Sequence, residues 1–358
     1  MAAPLSPSSS LPPVFSSHCA ACYTEAESGR RRPSRRRSIH LGARELSILV
    51  FLCALLVVVG VTSPAFLQAQ NVQDVLVNSS YTAVAAIGMT MVIIAGGIDI
   101  SIGSILAVCC ISAGHAAKAG LPVPAVAFLS VLIGGLLGAV NGSLVAFARI
   151  PAIIVTLGTM SILRGGITWA TGGYWIRDLP PTFSTLGTGV ILGVPIPVII
   201  AGLAVLAGVL FMSFTPAGRR IYAVGGSARA AELAGINVPM VTFGVFTACG
   251  ALVGLAAILY VTRFSVIQSN AGVGFELLVI TAVVVGGTNI MGGRGTVLGS
   301  VVGVLLLSVI GSALTYKHVS AYWESALQGL LVLMAVLTDT VRTRGRALVR
   351  RPLRRGAA

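Results

Sequence analysis

Ionisable side chains are scarce between residues 45 and 340, and two carboxylates stand out by their setting. Asp99 falls in Gly96-Gly97-Ile98-Asp99-Ile100-Ser101-Ile102-Gly103, a glycine-flanked break between apolar runs, and Glu276 opens another apolar run. A carboxylate placed there has to be capped, paired or hydrated, because an isolated charge in an apolar medium is expensive. Two roles stay open at this point: Asp99 or Ser101 caps a helix beginning near Ile100, or the break lies beside a polar path for a solute. A second group of polar side chains sits between Arg149 and Arg164, where Thr156, Thr159 and Ser161 punctuate an apolar segment. Hydroxyls in such a position bond a neighbouring helix more often than a ligand. Arg164 is expected to face a bundle interior or to snorkel to an interface.

Other chemistries are missing their residues. No G-x-x-x-x-G-K-[ST] phosphate loop occurs, and the glycine-rich stretch 286–295 carries Arg294 where such a motif does not fit. Any ATP hydrolysis linked to the chain therefore belongs to another subunit. There is no H-E-x-x-H, no G-x-S-x-G and no His/Cys/Asp/Glu cluster, so enzymatic activity, cofactors and a metal centre are not expected. Cys19 and Cys22 form a C-x-x-C after His18, without a second ligand pair, in a Ser/Pro-rich tail; Cys53, Cys109, Cys110 and Cys249 lie in apolar runs as small hydrophobes.

The elements that must position these residues are membrane helices. Hydrophobic residues make up 56% of the 358 positions and charged residues only 9%, with a mean hydropathy of +0.95. A soluble domain carries about a quarter charged residues. Backbone amides in hydrocarbon must bond within their own segment, so each long apolar stretch becomes a helix and Gly and Pro mark its ends. The expected helices cover approximately 46–64, 74–95, 98–117, 123–147, 151–172, 190–212, 239–262, 275–289, 295–316 and 322–340, an all-α polytopic bundle of about ten crossings with broken helices. Residues 1–44 read as a disordered basic cytoplasmic tail, 45–340 as one transmembrane domain and 341–358 as a second basic tail.

The net charge of +14 is concentrated in those tails, with Arg30, Arg31, Arg32, Arg35, Arg36, Arg37 and Arg44 before the first apolar run and seven arginines after the last. This is a positive-inside signature with contact to anionic lipid, placing both ends in the cytoplasm, and it argues against nucleic acid as a partner. An arginine cluster before Leu46–Val61 also has the look of a secretory signal, but no small-x-small cleavage site follows and further spans do. The same count sorts Arg149, Arg219, Arg220, Arg229 and Arg294 to the inner side and Lys118, Arg177, Arg263 and Lys317 to the outer.

One polar connection between spans is substantial, residues 213–238. Within it Ser227 to Ala234 follows a Gly-Gly break, has helix-forming residues and meets a natural C-cap in Gly235, so a short helix on the cytoplasmic face is expected, able to dock a partner. The break at 96–103 is echoed by Gly286-Gly287-Thr288-Asn289-Ile290-Met291-Gly292-Gly293, as in transporters built from duplicated halves.

Four blocks in this order resemble the permease of ribose-type ABC importers, the family serving ribose, xylose, arabinose, galactose and related monosaccharides. They are Gly88-Met89-Thr90 through Ser104, Asn141-Gly142 through Met160, Gly225-Gly226 through Ile236, and Gly286-Gly287-Thr288 through Gly299. The resemblance spans about residues 45–340. It implies a cytoplasmic ATP-binding subunit, an extracytoplasmic sugar-binding protein, and a second permease copy or paralogue, all at a bacterial cytoplasmic (inner) membrane. It also implies that residues 218–236 are the segment coupling to the ATPase, with Gly218, Arg219, Arg220, Ala230, Ala231, Glu232 and Gly235 as its candidate residues. The acidic-alanine-glycine order usual in related permeases is loose here, since Glu232 follows the alanines. Asp99, Ser101, Asn141, Thr156, Thr159 and Asn289 are the candidate residues of the translocation path. The function expected is that of the path-forming subunit of an ATP-driven monosaccharide importer; the alternative is a stand-alone carrier or channel for a small polar solute.

Overall fold

The computed structural model describes residues 43–317, 319, 320, 323, 325–334 and 337. Both expected tails, with Cys19 and Cys22, fall outside the described residues apart from the first residues of the opening helix.

The described chain is a polytopic membrane helix bundle. Its principal helices are α1 (Ala43–Thr62), α2 (Ala69–Ile94), α3 (Ile102–Lys118), α4 (Val123–Ala146), α5 (Ala152–Thr171), α6 (Ile196–Phe214), α7 (Pro216–Gly226), α8 (Ala228–Leu233), α9 (Val238–Val261), α10 (Phe275–Val285), α11 (Val297–Tyr316) and α12 (Ser325–Met334). Six of them, α2, α4, α5, α6, α9 and α11, are long and apolar enough to cross a membrane, while α1, α3, α10 and α12 contribute shorter apolar helices. At 1.5 Å per residue α10 extends only about 16 Å, roughly half the hydrocarbon thickness, so it is a broken helix of the kind the glycines announced.

Helix ends depart from the sequence expectation where turn chemistry intervenes. The segment expected as helix from 98 starts at Ile102, because Asp99 turns the chain back on itself before α3 begins. The segment expected from 190 starts at Ile196. A hairpin pairing Val190 with Pro195 and Ile191 with Val194 precedes it, closed by Leu192 and by Gly193 at φ +81°. The helix expected to run to 289 stops at Val285, where Gly287 adopts φ +95°. Residues 216–226, read from sequence as loop, form the surface helix α7. Thr215 accepts a hydrogen bond from Gly218 N at 3.0 Å, Pro216 occupies the first turn, and Gly218, Ile221 and Val224 face inward while Arg219 and Arg220 stay exposed.

The core is assembled through small residues. On α4, Gly134 and Gly138 lie against Gly250 and Gly254 of α9 so closely that a Cβ on any of the four would enter the opposing backbone. Ser130 donates to Gly254 O at 2.8 Å and closes the top of this seam. Hydrocarbon supplies no hydrophobic drive for helix association, and such backbone-to-backbone approach provides the dispersion contact that replaces it. Around it α2, α3 and α10 bury Ile87, Met89, Ile93, Ile102, Ile105 and Val279. The helix α1 packs separately onto α11, through Leu52, Val59, Leu306 and Val309.

The bundle has two distinct ends. At one, α7 and α8 lie with the breaks after α2 and α10. At the other, residues 172–195 pack on 262–274: Ile176 and Ile267 exchange backbone bonds of 3.0 and 2.9 Å, and Ser269 donates to Gly173 O at 3.0 Å. Lys118 bonds Arg177 O there at 3.1 Å and Arg263 bonds Asn78 at 2.6 Å, so these three cations share the end away from α7.

Candidate functional site

The break between α2 and α3 is built residue by residue. Gly96, at φ +90°, ends α2 by donating to Ile93 O at 2.9 Å, and Gly97 reaches back to Val92 O at 2.9 Å, a C-terminal motif that needs a left-handed residue. Asp99 then accepts from Ser101 N at 2.9 Å and from the Ser101 hydroxyl at 2.6 Å through the same Oδ1. Asp99 is not the cap of α3. Ser101 holds the N-cap position and makes no side-chain cap bond, so the capping role considered from sequence is replaced by a two-residue turn.

From this turn a hydrogen-bond chain crosses two further helices. Asn141 of α4 donates from Nδ2 to Ser101 Oγ at 2.8 Å, and Thr159 of α5 donates to Asn141 Oδ1 at 2.7 Å. Asp99, Ser101 and Asn141 have no exposed surface, and Thr159 is half-buried at the rim. Every donor in the chain points the same way, toward the Asp99 carboxylate, an arrangement in which successive bonds polarise one another. Asp99 Oδ2 remains enclosed without a partner among the described residues. Thr156 is buried beside this chain rather than in it, bonding Ala152 O at 2.9 Å and Ile98 O at 3.4 Å. Ser161 bonds its own helix, at Leu157 O.

Asn289 is not brought to this network. It lies in the second break, where its Oδ1 accepts from Met291 N at 3.0 Å and its own N–H bonds Arg294 O at 2.9 Å.

The two breaks meet at α7. Gly293 N donates to Ile94 O at 2.9 Å. Gly225 of α7 sits over this bond so tightly that a Cβ there would run into Ile94 O and come within 2.7 Å of Gly293 N. A Cβ on Gly292 would lie 3.1 Å from Gly96 Cα, and one on Gly293 would lie 2.9 Å from Gly226 Cα. Tyr222 adds a hydroxyl bond to Gly295 O at 2.8 Å. Gly96, the pair 225–226 and the pair 292–293 thus form one backbone seam. The sequence signalled the glycines but not Ile94 or Tyr222, whose roles depend on which carbonyl the fold leaves facing α7.

Beyond the seam, α8 stands away from the bundle. Ser227 caps it by accepting from Ala230 N at 3.2 Å, and the helix ends with Gly235 at φ +78°, the C-cap anticipated from sequence. Only Ala231 is buried; Ala230, Glu232, Leu233 and Gly235 are exposed, and Arg229 pairs with Glu232 at 3.7 Å on the surface. Gly218 is instead buried on the inner face of α7, against the Phe211 and Met212 carbonyls. Among the described residues no group of three or more His, Cys, Asp or Glu is placed to hold a metal ion.

Residues 71–336 match the family described as branched-chain amino acid transport system / permease component. The chain belongs to this permease family. Its relatives include the ribose import permease protein of Haemophilus influenzae, 38% identical over 81% of this chain and 91% of that protein, and that of Escherichia coli K12, 38% identical over 82% and 93%. The autoinducer 2 import system permease protein of an Enterobacter species is 35% identical over 83% of this chain and 86% of its own length. No solved structure matches. The match covers both breaks, the α7–α8 element and every residue of the hydrogen-bond chain of this permease.

Proposed function

We propose that this permease is the path-forming subunit of an ATP-driven importer for a monosaccharide. It works in a bacterial inner membrane with both termini cytoplasmic, beside a cytoplasmic ATP-binding subunit, an extracytoplasmic sugar-binding protein and a second permease copy or paralogue. The observation that carries this reading is the glycine seam. An exposed helix pair, α7–α8, suited to docking a partner is in backbone contact with both broken helices, so a push on α7 cannot leave either break undisturbed. Packed interfaces of this kind shift between discrete arrangements rather than deforming continuously, which is what alternating access requires. Closure of the ATPase displaces α7, the seam carries the displacement to the breaks after α2 and α10, and the chain Asp99–Ser101–Asn141–Thr159 ties the first break to α4 and α5. No covalent chemistry occurs in this chain. The names of the ribose import permeases support a sugar as cargo.

The reading is tested by uptake of labelled D-ribose, D-xylose and D-galactose into proteoliposomes holding the permease with its ATPase and binding protein. Uptake of at least one sugar is expected to need ATP and the ATPase. Glu232→Ala and Gly235→Val are expected to lower that uptake at least tenfold while ATP hydrolysis continues. Undiminished uptake without the ATPase would make the chain a stand-alone carrier and end the importer reading.

A further inference from the structure

A cavity of about 780 Å³ opens between α5 and the first turn of α10, in the half of the bundle away from α7. Its wall carries Ser161, Arg164, Thr168, Trp169 and Glu276. Elsewhere the exposed face of α5 is apolar, with Ile153, Ile154, Leu157 and Ile162 outward. A guanidinium and a carboxylate facing a cavity at membrane depth are tolerated where that cavity holds water or a polar solute, not acyl chains. The two charges do not close on each other: the ion pair recorded among the described residues is Arg229–Glu232, and Arg164 directs Nη1 to Ala271 O at 2.8 Å. Glu276 lines the cavity while turning one enclosed carboxylate oxygen, without a hydrogen-bond partner among the described residues, against Gly103 of α3. Above them Trp169 is 87% exposed, with its ring unclaimed by any aromatic contact recorded among the described residues.

We propose that this cavity is a binding subsite for a neutral polyhydroxy solute of monosaccharide size. Trp169 is the stacking platform for the sugar's C–H face, Glu276 the acceptor and Arg164 the donor for its hydroxyls. This rests on the reading that the path carries a sugar, and it names where the sugar is held. Three features set the class. One positive and one negative charge cancel, so neither an anion nor a cation is favoured over a neutral solute. Separated donor and acceptor groups suit a molecule that offers both along one edge. The volume lies in the ordinary range of small-molecule sites, about 300–1,000 Å³. The subsite is also joined to the first break. Ser104 donates to Met160 O, on the cavity wall, at 3.1 Å, and the Glu276 carboxylate lies against Gly103 so closely that a Cβ there would strike it. Occupancy is therefore felt at the start of α3, next to the Asp99 turn.

The test uses the full-length permease in lipid nanodiscs. Intrinsic tryptophan fluorescence is titrated with D-ribose, D-xylose and D-galactose, and with D-gluconate and D-glucosamine as charged counterparts. At least one neutral sugar is expected to give a saturable change in the millimolar range. That change should be lost in Trp169→Ala, retained in Trp169→Phe when followed by sugar saturation-transfer NMR, and weakened at least fivefold in Glu276→Gln. Trp169 is surface-exposed, so its replacement leaves packing intact, and a monodisperse gel-filtration profile checks this. No response to any neutral sugar, binding unchanged in both Trp169→Ala and Glu276→Gln, or gluconate or glucosamine binding as well as the neutral sugars would overturn the subsite. Failure here with ATPase-dependent uptake intact removes the subsite and leaves the importer reading standing. Sugar binding at Trp169 with ATPase-independent uptake does the reverse.

Discussion

The two breaks solve one problem with different side chains. In each, a glycine at positive φ, Gly96 or Gly287, closes the preceding helix, and an Asx side chain then accepts from the backbone N–H two residues on: Asp99 from Ser101, Asn289 from Met291. The structural register pairs Gly96 with Gly287, one residue away from the pairing the sequence echo suggests, because the first break holds one more residue between its glycine and its Asx turn. The exits differ more. The first break enters α3 at once, with Asp99 and Ser101 fully buried, and extends through Asn141 and Thr159 to two other helices. The second makes a glycine-rich excursion through Gly292, Gly293 and Gly295, all at positive φ, before Thr296 caps α11 by accepting from Gly299 N at 3.0 Å. One break is fixed by side chains and the other by backbone, and only the side-chain version requires a carboxylate.

That contrast makes the Asp99 substitution the most damaging. Asp99→Ala strands the Ser101 N–H, its hydroxyl and, through them, Asn141, and is expected to destabilise the fold by about 3 kcal/mol, since each unsatisfied buried group costs roughly 1–3 kcal/mol. Asp99→Asn keeps the acceptor that Asn289 uses in the other break and should retain most of the stability. Melting of the detergent-purified variants compares them, and an Asp99→Ala melting point equal to wild type contradicts the account. Gly225→Val addresses the contact between the breaks. The added carbons meet Ile94 O and Gly293 N, at an overpacking cost on the order of 2 kcal/mol, with sugar uptake falling at least tenfold. Gly226→Ala, where an added Cβ meets nothing within 4 Å, serves as the matched control and should transport normally. Asn141→Leu cuts the chain at its middle and is expected to cost about 1–2 kcal/mol, read as a lower melting point that a second change, Thr159→Val, does not lower further by its full single-variant amount. Asn289→Ala is the smallest effect, about 0.5–1 kcal/mol, because its turn is half-exposed and backbone bonds carry that break. A loss there equal to that of Asp99→Ala would erase the distinction between the two breaks.

Much of this was legible in the linear pattern, and the omissions have identifiable causes. The α7 helix is hidden in the sequence because Thr215, Pro216 and three glycines read as loop, although Thr215 as cap, Pro216 in the first turn and inward positions at Gly218, Ile221 and Val224 mark an amphipathic helix once a surface is available to receive it. The sequence puts the start of α6 too early because Val190 to Val194 is as apolar as a span, and only the turn at Leu192 and Gly193 shows that the chain reverses there. Asp99, Ser101 and Thr159 stand out in the sequence as polar groups in apolar surroundings, and Asn141 enters through the family resemblance. Their union into one chain, and the exclusion of Asn289 from it, was not available from spacing.

By itself the sequence determined that this protein crosses lipid repeatedly, that a helix ends before the glycines at 96–97, and that Gly235 ends a short polar helix. These follow from local energetics, the cost of unbonded amides in hydrocarbon and the φ values open to glycine, which each segment settles within its own length. Only the tertiary structure decided that Ile94, Gly225 and Gly293 touch, that Asn141 reaches Ser101 across 40 positions, and that Arg164 and Glu276 face one cavity. Those meetings depend on how far two helices approach and rotate about each other, which is set by the whole set of small residues at α4 and α9 and is encoded in no single segment.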